Sequence, residues 1–242
     1  MFKANEDIGG GIGVNVVVDT TVGADAPSAT TIGDRQSTLG IGTNTLRLTL
    51  GRDKHNLRKT IDQFDVVGVD YGTVADSVHN VRDSRVNNSV AITTEVAGAT
   101  IGYTHGYNET AGTSATQSYN VIYGVGPVKV GYAGYDNNSG NKSQLVGGNL
   151  VLGTTTVVGM YSEDTTAGTK VKGKTLGLAQ KLTPSLTVYA GYGTNESIDA
   201  YTLKATYALS KRTALHTAYS NVDSTVTAND VTRYGVGLEH NF

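Results

Sequence analysis

Apolar residues alternate with polar or small ones along most of the chain. Ile12, Val14, Val16 and Val18 alternate with Gly13, Asn15, Val17 and Asp19. Leu46, Leu48 and Leu50 do so with Arg47, Thr49 and Gly51. The same holds for Ile101, Tyr103 and Tyr107, for Tyr119 through Val125, and for Val128, Val130 and Tyr132. It holds again for Leu186 through Tyr192, Tyr201 through Leu209, and Tyr234, Val236, Leu238, His240 and Phe242. Period two with one apolar face predicts half-buried β-strands. A partial strand at 1–6 and fourteen more are expected.

Tight turns are expected near Asp7–Gly11, Gly42–Thr45, Val96–Gly98, Gly126–Pro127, Gly153–Thr154, Thr183–Ser185 and Ser210–Lys211. Longer polar connections lie between them, at 23–33, 54–84, 109–114, 137–141, 164–170, 195–197 and 223–229. Short and long connections therefore alternate, as in an up-and-down sheet whose two ends face different surroundings. Outer-membrane barrels have short turns at one end and long loops at the other. Strands of roughly 9–12 residues suit a tilted bilayer crossing. A soluble sandwich also has one polar face. Two features favour the barrel: Tyr recurs near strand ends, as in an interfacial girdle, and no strand run reads as apolar on both faces.

Composition narrows the choice. Gly is 31 of 242 residues, against 3 Pro. Glycine and β-branched residues are poor helix formers, and there is no collagen triplet. Lys and Arg number 19 against 21 Asp and Glu, so no basic footprint for nucleic acid exists. Cysteine is absent, which removes disulfides and thiolate chemistry. Ser143–Ser162 carries no charge, but its Gly, Asn and Thr content makes a spanning helix improbable. The N-terminal MFKANEDIGG lacks an apolar signal core. Neither a P-loop, a G-x-S-x-G nor an H-E-x-x-H occurs. The five His (55, 79, 105, 216 and 240) are scattered, so no metal or other cofactor is expected.

Six segments, in order along the chain, resemble the trimeric general porins of Gram-negative bacteria, of the β-proteobacterial type. Phe2–Gly11 (FKANEDIGGG) looks like that family's FKG-x-ED-LG-x-G hairpin. Arg35–Leu39 (RQSTL) is similar to its R-x-S-x-hydrophobic strand start, Leu50–Asp53 (LGRD) to its L-G-R strand end and Arg85–Ser89 (RVNNS) to its R-x-x-N-S strand. Leu209–Leu215 (LSKRTAL) is close to its frequent LSKRT turn, and Tyr234–Phe242 (YGVGLEHNF) to its closing strand. The resemblance implies one transmembrane antiparallel up-and-down β-barrel domain over residues 1–242, with 16 strands in the intact protein and about 15 here. The first strand and a signal peptide would then lie outside this chain. It implies a water-filled channel of the cell outer membrane for small hydrophilic solutes and ions, with mild anion preference. Implied partners are a homotrimer, outer-membrane lipids, lipopolysaccharide and the outer-membrane assembly machinery.

The resemblance also assigns residues. The 54–84 connection, unusually long beside the others, is expected to fold into the lumen with Asp62, Asp65, Asp70 and Asp76. Arg85 and Arg47 have parity opposite to the apolar stripe of their strands, so both are expected to point inward. Arg85 matches a constriction arginine of the family. Arg35 matches another by motif but shares the parity of Leu39, so a bulge, or a place above the regular strand, is expected. Asp19 is inward by parity and matches an acidic pore position. Leu238, His240 and Phe242 form the expected assembly signal. Two other readings remain open: a secreted or surface β-rich adhesin or solenoid, and a barrel enzyme with a Ser–His pair in register.

Overall fold

The computed structural model describes residues 1–21, 31–68, 73–79, 84–107, 115–225 and 230–241. Its strands are β1 (Phe2–Gly9), β2 (Ile12–Asp19), β3 (Gln36–Gly42), β4 (Leu46–Lys54), β5 (Arg85–Val96), β6 (Ala99–Gly106), β7 (Thr116–Val125) and β8 (Val128–Asp136). They continue as β9 (Lys142–Leu152), β10 (Thr155–Thr166), β11 (Thr169–Lys181), β12 (Leu186–Thr194), β13 (Ile198–Ala208), β14 (Thr213–Ser224) and β15 (Val231–His240). Two helices, α1 (Asn56–Phe64) and α2 (Val74–Val78), interrupt the series between β4 and β5.

All fifteen strands form one antiparallel sheet in sequence order, β1 to β15. The sheet is not closed: β1 pairs only with β2, and β15 only with β14. Its curvature follows from the helices. α1 packs on β6 through β10 and α2 on β11 through β14. Nine flat strands would span about 38 Å at the usual strand spacing, while α1 is only about 14 Å long. The sheet must wrap around the helices for both to reach so many strands, which makes their face the concave one.

The outward face carries the alternating apolar stripe: Leu39, Ile41, Tyr103, Tyr119, Val121, Leu176 and Leu203 are all exposed. So large an apolar surface is unsuited to water and fits hydrocarbon. None of the helices is long and apolar enough to cross a membrane, so any crossing is made by strands.

Three features differ from the sequence reading. First, β1 is a full eight-residue strand, Phe2–Gly9, rather than a partial one at 1–6. Second, the expected long connection at 164–170 is a tight hairpin. β10 and β11 stay paired to Thr166 and Thr169, and Ala167 and Gly168 turn the chain with φ of 48° and 86°. Two successive positive φ values match the hairpin turn that follows strand twist. Third, apolar residues do occur on both faces of some strands. Leu145 and Val146 in β9 are buried and exposed in turn, as are Met160 and Tyr161 in β10. The inward members lie under α1.

Candidate functional site

The two helices of the 54–84 connection, α1 and α2, lie on the concave side. α1 begins at His55, whose Nδ1 accepts the Arg58 N–H at 3.1 Å and caps the helix. Leu57, Ile61 and Phe64 follow at i, i+4 and i+7, one helical stripe. They pack with Ala133, Tyr135, Leu145 and Met160 of β8, β9 and β10. Polar ties fix the helix in place. Asn56 Nδ2 donates to Ser118 O at 3.0 Å, the Leu57 N–H to Ser118 Oγ at 3.1 Å, and Asn120 Nδ2 to Thr60 Oγ1 at 3.1 Å. The wall makes room with glycine. A Cβ on Gly131 or on Gly147 would come within 2.7 Å of the Phe64 ring.

α2 is anchored at both ends. Thr73 caps its start by accepting the Ala75 N–H at 3.1 Å. His79, at its end, is buried between β10 and β11. Its Nδ1 lies 2.8 Å from Ser162 Oγ and its Nε2 lies 3.1 Å from Thr175 Oγ1. Ser162 Oγ in turn donates to Asp164 Oδ2 at 2.8 Å. Burial without a charged partner pulls the His79 pKa down to about 4.

One Ser–His pair bears on the barrel-enzyme reading. It is His79–Ser162, and both residues are 1% exposed. The Ser162 proton is committed to Asp164, so the hydroxyl has neither an attacking lone pair in reach of substrate nor access to one.

Charged groups gather where β2, β3, β4 and β5 meet the helices. Arg35 lies just before β3, above the regular strand, and its Nε meets Asp19 Oδ2 at 3.1 Å. That position, not strand parity, turns it inward. The register of β4 on β5 shifts between Gly51 and Asp53. Gly51 sits at φ 119°, where a Cβ would lie 2.1 Å from Ser37 O, so only glycine fits. Arg52 opposes Asn87 and Asn88, the latter at φ 46°. Such bulges re-aim side chains. Here Arg52 Nε donates to Asp34 O at 2.7 Å and its guanidinium also bonds Asn87. The bulge breaks the alternation of β5 below Arg85, so parity along the whole strand does not orient it. Arg85 pairs with Lys54 in the register and bonds Ser84 Oγ at 3.3 Å. The charges acting on it are Arg35, Arg52, Arg58 and Asp19.

The acids of the segment are largely spoken for. Asp62 is paired with Lys54 at 2.6 Å and with Arg58 at 2.9 Å, and Arg58 also binds Asp76. Burial opposes the Arg58 charge, but the Asp76 and Asp62 carboxylates outweigh it and hold its pKa above the ordinary value. Asp65 is enclosed. Its carboxylate accepts the Thr73 hydroxyl and the Val67 and Gly68 N–H groups, and burial outweighs these bonds and raises its pKa. Asp53 pairs with Lys59 at 2.8 Å. Asp70 lies outside the described residues.

Arg47 does face the concave side, bonded to Asn15, but at the other end of β4 beside the Gly42 turn. Five residues separate it from Arg52, about 17 Å along a strand. It lines an open cavity of about 660 Å³ with Lys3, Asn5, Asn15, Lys59 and Glu95. The sequence reading thus brings together Arg35, Asp19 and Arg85, and separates Arg47. It passed over Arg52, which stands within the LGRD segment, and Lys54, which joins Arg58 in the loop's charge network. Leu238 and His240 lie on β15, Leu238 exposed outward and His240 Nδ1 2.9 Å from Thr213 Oγ1. Phe242 lies outside the described residues. Among the described residues no group of three potential metal ligands occurs.

Comparison with known proteins agrees with this architecture. Residues 1–227 match the family model for the Gram-negative porin. No curated protein matches the chain. Among solved structures, the anion-selective porin from Comamonas acidovorans superposes with a TM-score of 0.82 at 19% identity, covering 99% of this chain and 88% of that one. OmpT of Vibrio cholerae, folded in vitro in its trimer form, gives 0.78 at 13% identity over 98% and 89%. Salmonella typhi OmpF gives 0.79 at 11% over 98% and 88%. A wall of antiparallel strands, apolar outside, with a helical segment folded against its inner face, is the form of an outer-membrane passive-diffusion channel, and the chain belongs to the Gram-negative porin family.

Proposed function

We propose that this porin is a mildly anion-preferring, non-enzymatic channel whose bore is narrowed by the 54–84 segment. One observation carries the preference: among the described residues, four acids near the narrow zone are matched to cations, while Arg52 and Arg85 beside them, and Arg47 further along β4, are not. Asp19, Asp53, Asp62 and Asp76 each pair with Arg or Lys. Arg47, Arg52 and Arg85 bond Asn15, Asn87 and Ser84, all neutral. Fixed cations with neutral partners leave a positive field in a low-dielectric passage, which concentrates anions. The name of one solved neighbour, an anion-selective porin, supports the same sign.

The test is the reversal potential across a salt gradient in planar bilayers. The parent is expected to favour chloride over potassium. Arg52→Ala combined with Arg85→Ala is expected to lower that ratio severalfold, as removal of focusing charge requires. Cation preference in the parent, or no change in the double variant, overturns the assignment.

The apolar exterior fits lipid contact and a homotrimer, and a neighbouring OmpT structure is described as a trimer form. Leu238, His240 and Phe242 are proposed as the signal read by the assembly machinery, with Phe242 its last residue. A strand edge with free backbone groups is a natural template for such a partner. Deleting Phe242 from a signal-bearing full-length form is expected to cut trimer yield in outer-membrane fractions far more than yield from urea into detergent. Equal losses by both routes make Phe242 a packing residue.

A further inference from the structure

Between α1 and α2 the chain turns at 65–68, and Asp65 shapes the turn from within. Its carboxylate accepts the Val67 N–H at 3.0 Å and the Gly68 N–H at 3.3 Å, and Gly68 sits at φ 78°. The turn leans on β11 and β12 through two valines seated on glycines. A Cβ on Gly177 would stand 2.9 Å from Val66 Cγ2, and one on Gly191 3.2 Å from Val67 Cγ2. Apolar contact is non-directional and gives the turn no hydrogen-bonded register on the wall.

One strand further on, a side chain supplies that direction. Lys204 lies on β13, opposite Tyr189 of β12 and Ala218 of β14. It shares the parity of Ala200 and Thr202, which are wholly buried on the inner face. Its Nζ donates to Val67 O at 2.8 Å and stands 5.5 Å from the Tyr189 ring centroid. The carbonyl contact is charge-assisted, and the ring adds a cation–π attraction that holds the ammonium in place. β13 is far along the sheet from β4 and β5, so Lys204 is no member of the group formed by Arg52 and Arg85.

We propose that Lys204 is a positioning residue of the channel: by holding Val67 O it keeps the turn between α1 and α2 back against β12 and β13 and out of the passage. This rests on the reading of the 54–84 segment as the constriction. Both sides of the turn are tethered, α1 by Leu57, Ile61 and Phe64, and α2 by His79. A turn released between two docked helices has one way to move, off the wall and into the bore. Its release shows as brief partial closures, whereas loss of α1 docking widens the bore.

The experiment is single-channel recording of the folded porin in planar bilayers. Lys204→Met keeps the stem beside Tyr189 and removes the donor and the charge; Lys204→Arg keeps both. The time spent in partly closed levels is expected to rise about tenfold in Lys204→Met, the usual worth of one hydrogen bond from a charged group. In Lys204→Arg it is expected to stay near that of the parent. The rise is expected to persist at about 1 M salt, where the screening length is about 3 Å. The field of a missing cation fades there, but a missing hydrogen bond does not. Heat stability of the barrel is expected to match the parent, because the ladder of β13 is untouched. A Lys204→Met channel as quiet as the parent leaves the turn to its valines and overturns the proposal. Closures that vanish at about 1 M salt overturn it too, as does a Lys204→Arg channel as restless as Lys204→Met. A parent that does not conduct strikes the channel reading, whereas a conducting parent, widened in Phe64→Ala but still quiet in Lys204→Met, strikes only Lys204.

Discussion

Phe64→Ala is expected to unseat the proposed constriction segment while leaving the wall intact. Phe64 is wholly buried, in a cluster with Leu57, Ile61, Leu145 and Met160. Emptying such a site costs about 3–5 kcal/mol. Nothing can collapse into the space easily, because Gly131 and Gly147, which face the ring, have no side chains to move. The strand ladder loses nothing, since no β hydrogen bond involves Phe64. The loss therefore falls on α1 docking. Single-channel recordings should give a larger and noisier conductance, with trimer heat stability close to that of the parent. Phe64→Leu, which refills most of the volume, should restore most of the parent behaviour. A quiet, parental conductance in Phe64→Ala would mean that α1 is held by its polar ties to Ser118 and Asn120 instead.

The wall was legible because each strand writes its own pattern. Tyr201, Leu203, Ala205 and Tyr207 show their exposure in the order of the residues, without reference to any other segment. The inward-folded segment, the proposed constriction, was legible only as a long connection. Its helix is marked by Leu57, Ile61 and Phe64 at helical spacing, a signal present in the sequence but lost among charged neighbours. The complementary signal is scattered: Gly131, Ala133, Leu145, Gly147 and Met160 sit on three strands and meet only when the sheet curls. Read alone, each is an exception to a polar inner face. The arginines divide along the same line. Arg47 follows strand parity. Arg35 does not, because it precedes the first ladder residue of β3. Arg52 and Arg85 flank a bulge made by Gly51 and Asn88, and a bulge resets the parity on which the sequence argument depends. Asp62 and Asp65 looked like free pore acids. Their neutralising partners, Arg58, Lys54, Thr73 and two backbone N–H groups, come from tertiary contact that no spacing rule encodes.

Acidification is expected to loosen the α2 end of the constriction between pH 6.5 and about 4. His79 is neutral when docked, its pKa lowered by burial from 6.5 to about 4. In a released loop the imidazole meets water and regains its ordinary value. The docked form then binds fewer protons across that window, so docking weakens as pH falls through it and is unaffected above 6.5. The full swing is roughly 3 kcal/mol for a shift of this size. The geometry explains the penalty. Because the Ser162 hydroxyl donates to Asp164, Ser162 Oγ accepts from His79 Nδ1, and Nε2 is left to accept from Thr175. A second proton on Nε2 forces the Thr175 hydroxyl to turn and leaves an imidazolium enclosed by β10 and β11, away from water. Asp65 acts in the opposite sense. Its raised pKa means that the docked carboxyl takes up its proton at higher pH than a free one, so that protonation favours docking. His79→Gln isolates the histidine, since an amide can still bond Ser162 and Thr175 without titrating. Open-channel noise in the parent should rise as pH falls from 7 to 4.5, and stay flat in His79→Gln. An equal rise in both proteins would place the acid sensitivity elsewhere, with the constriction carboxylates the first groups to replace.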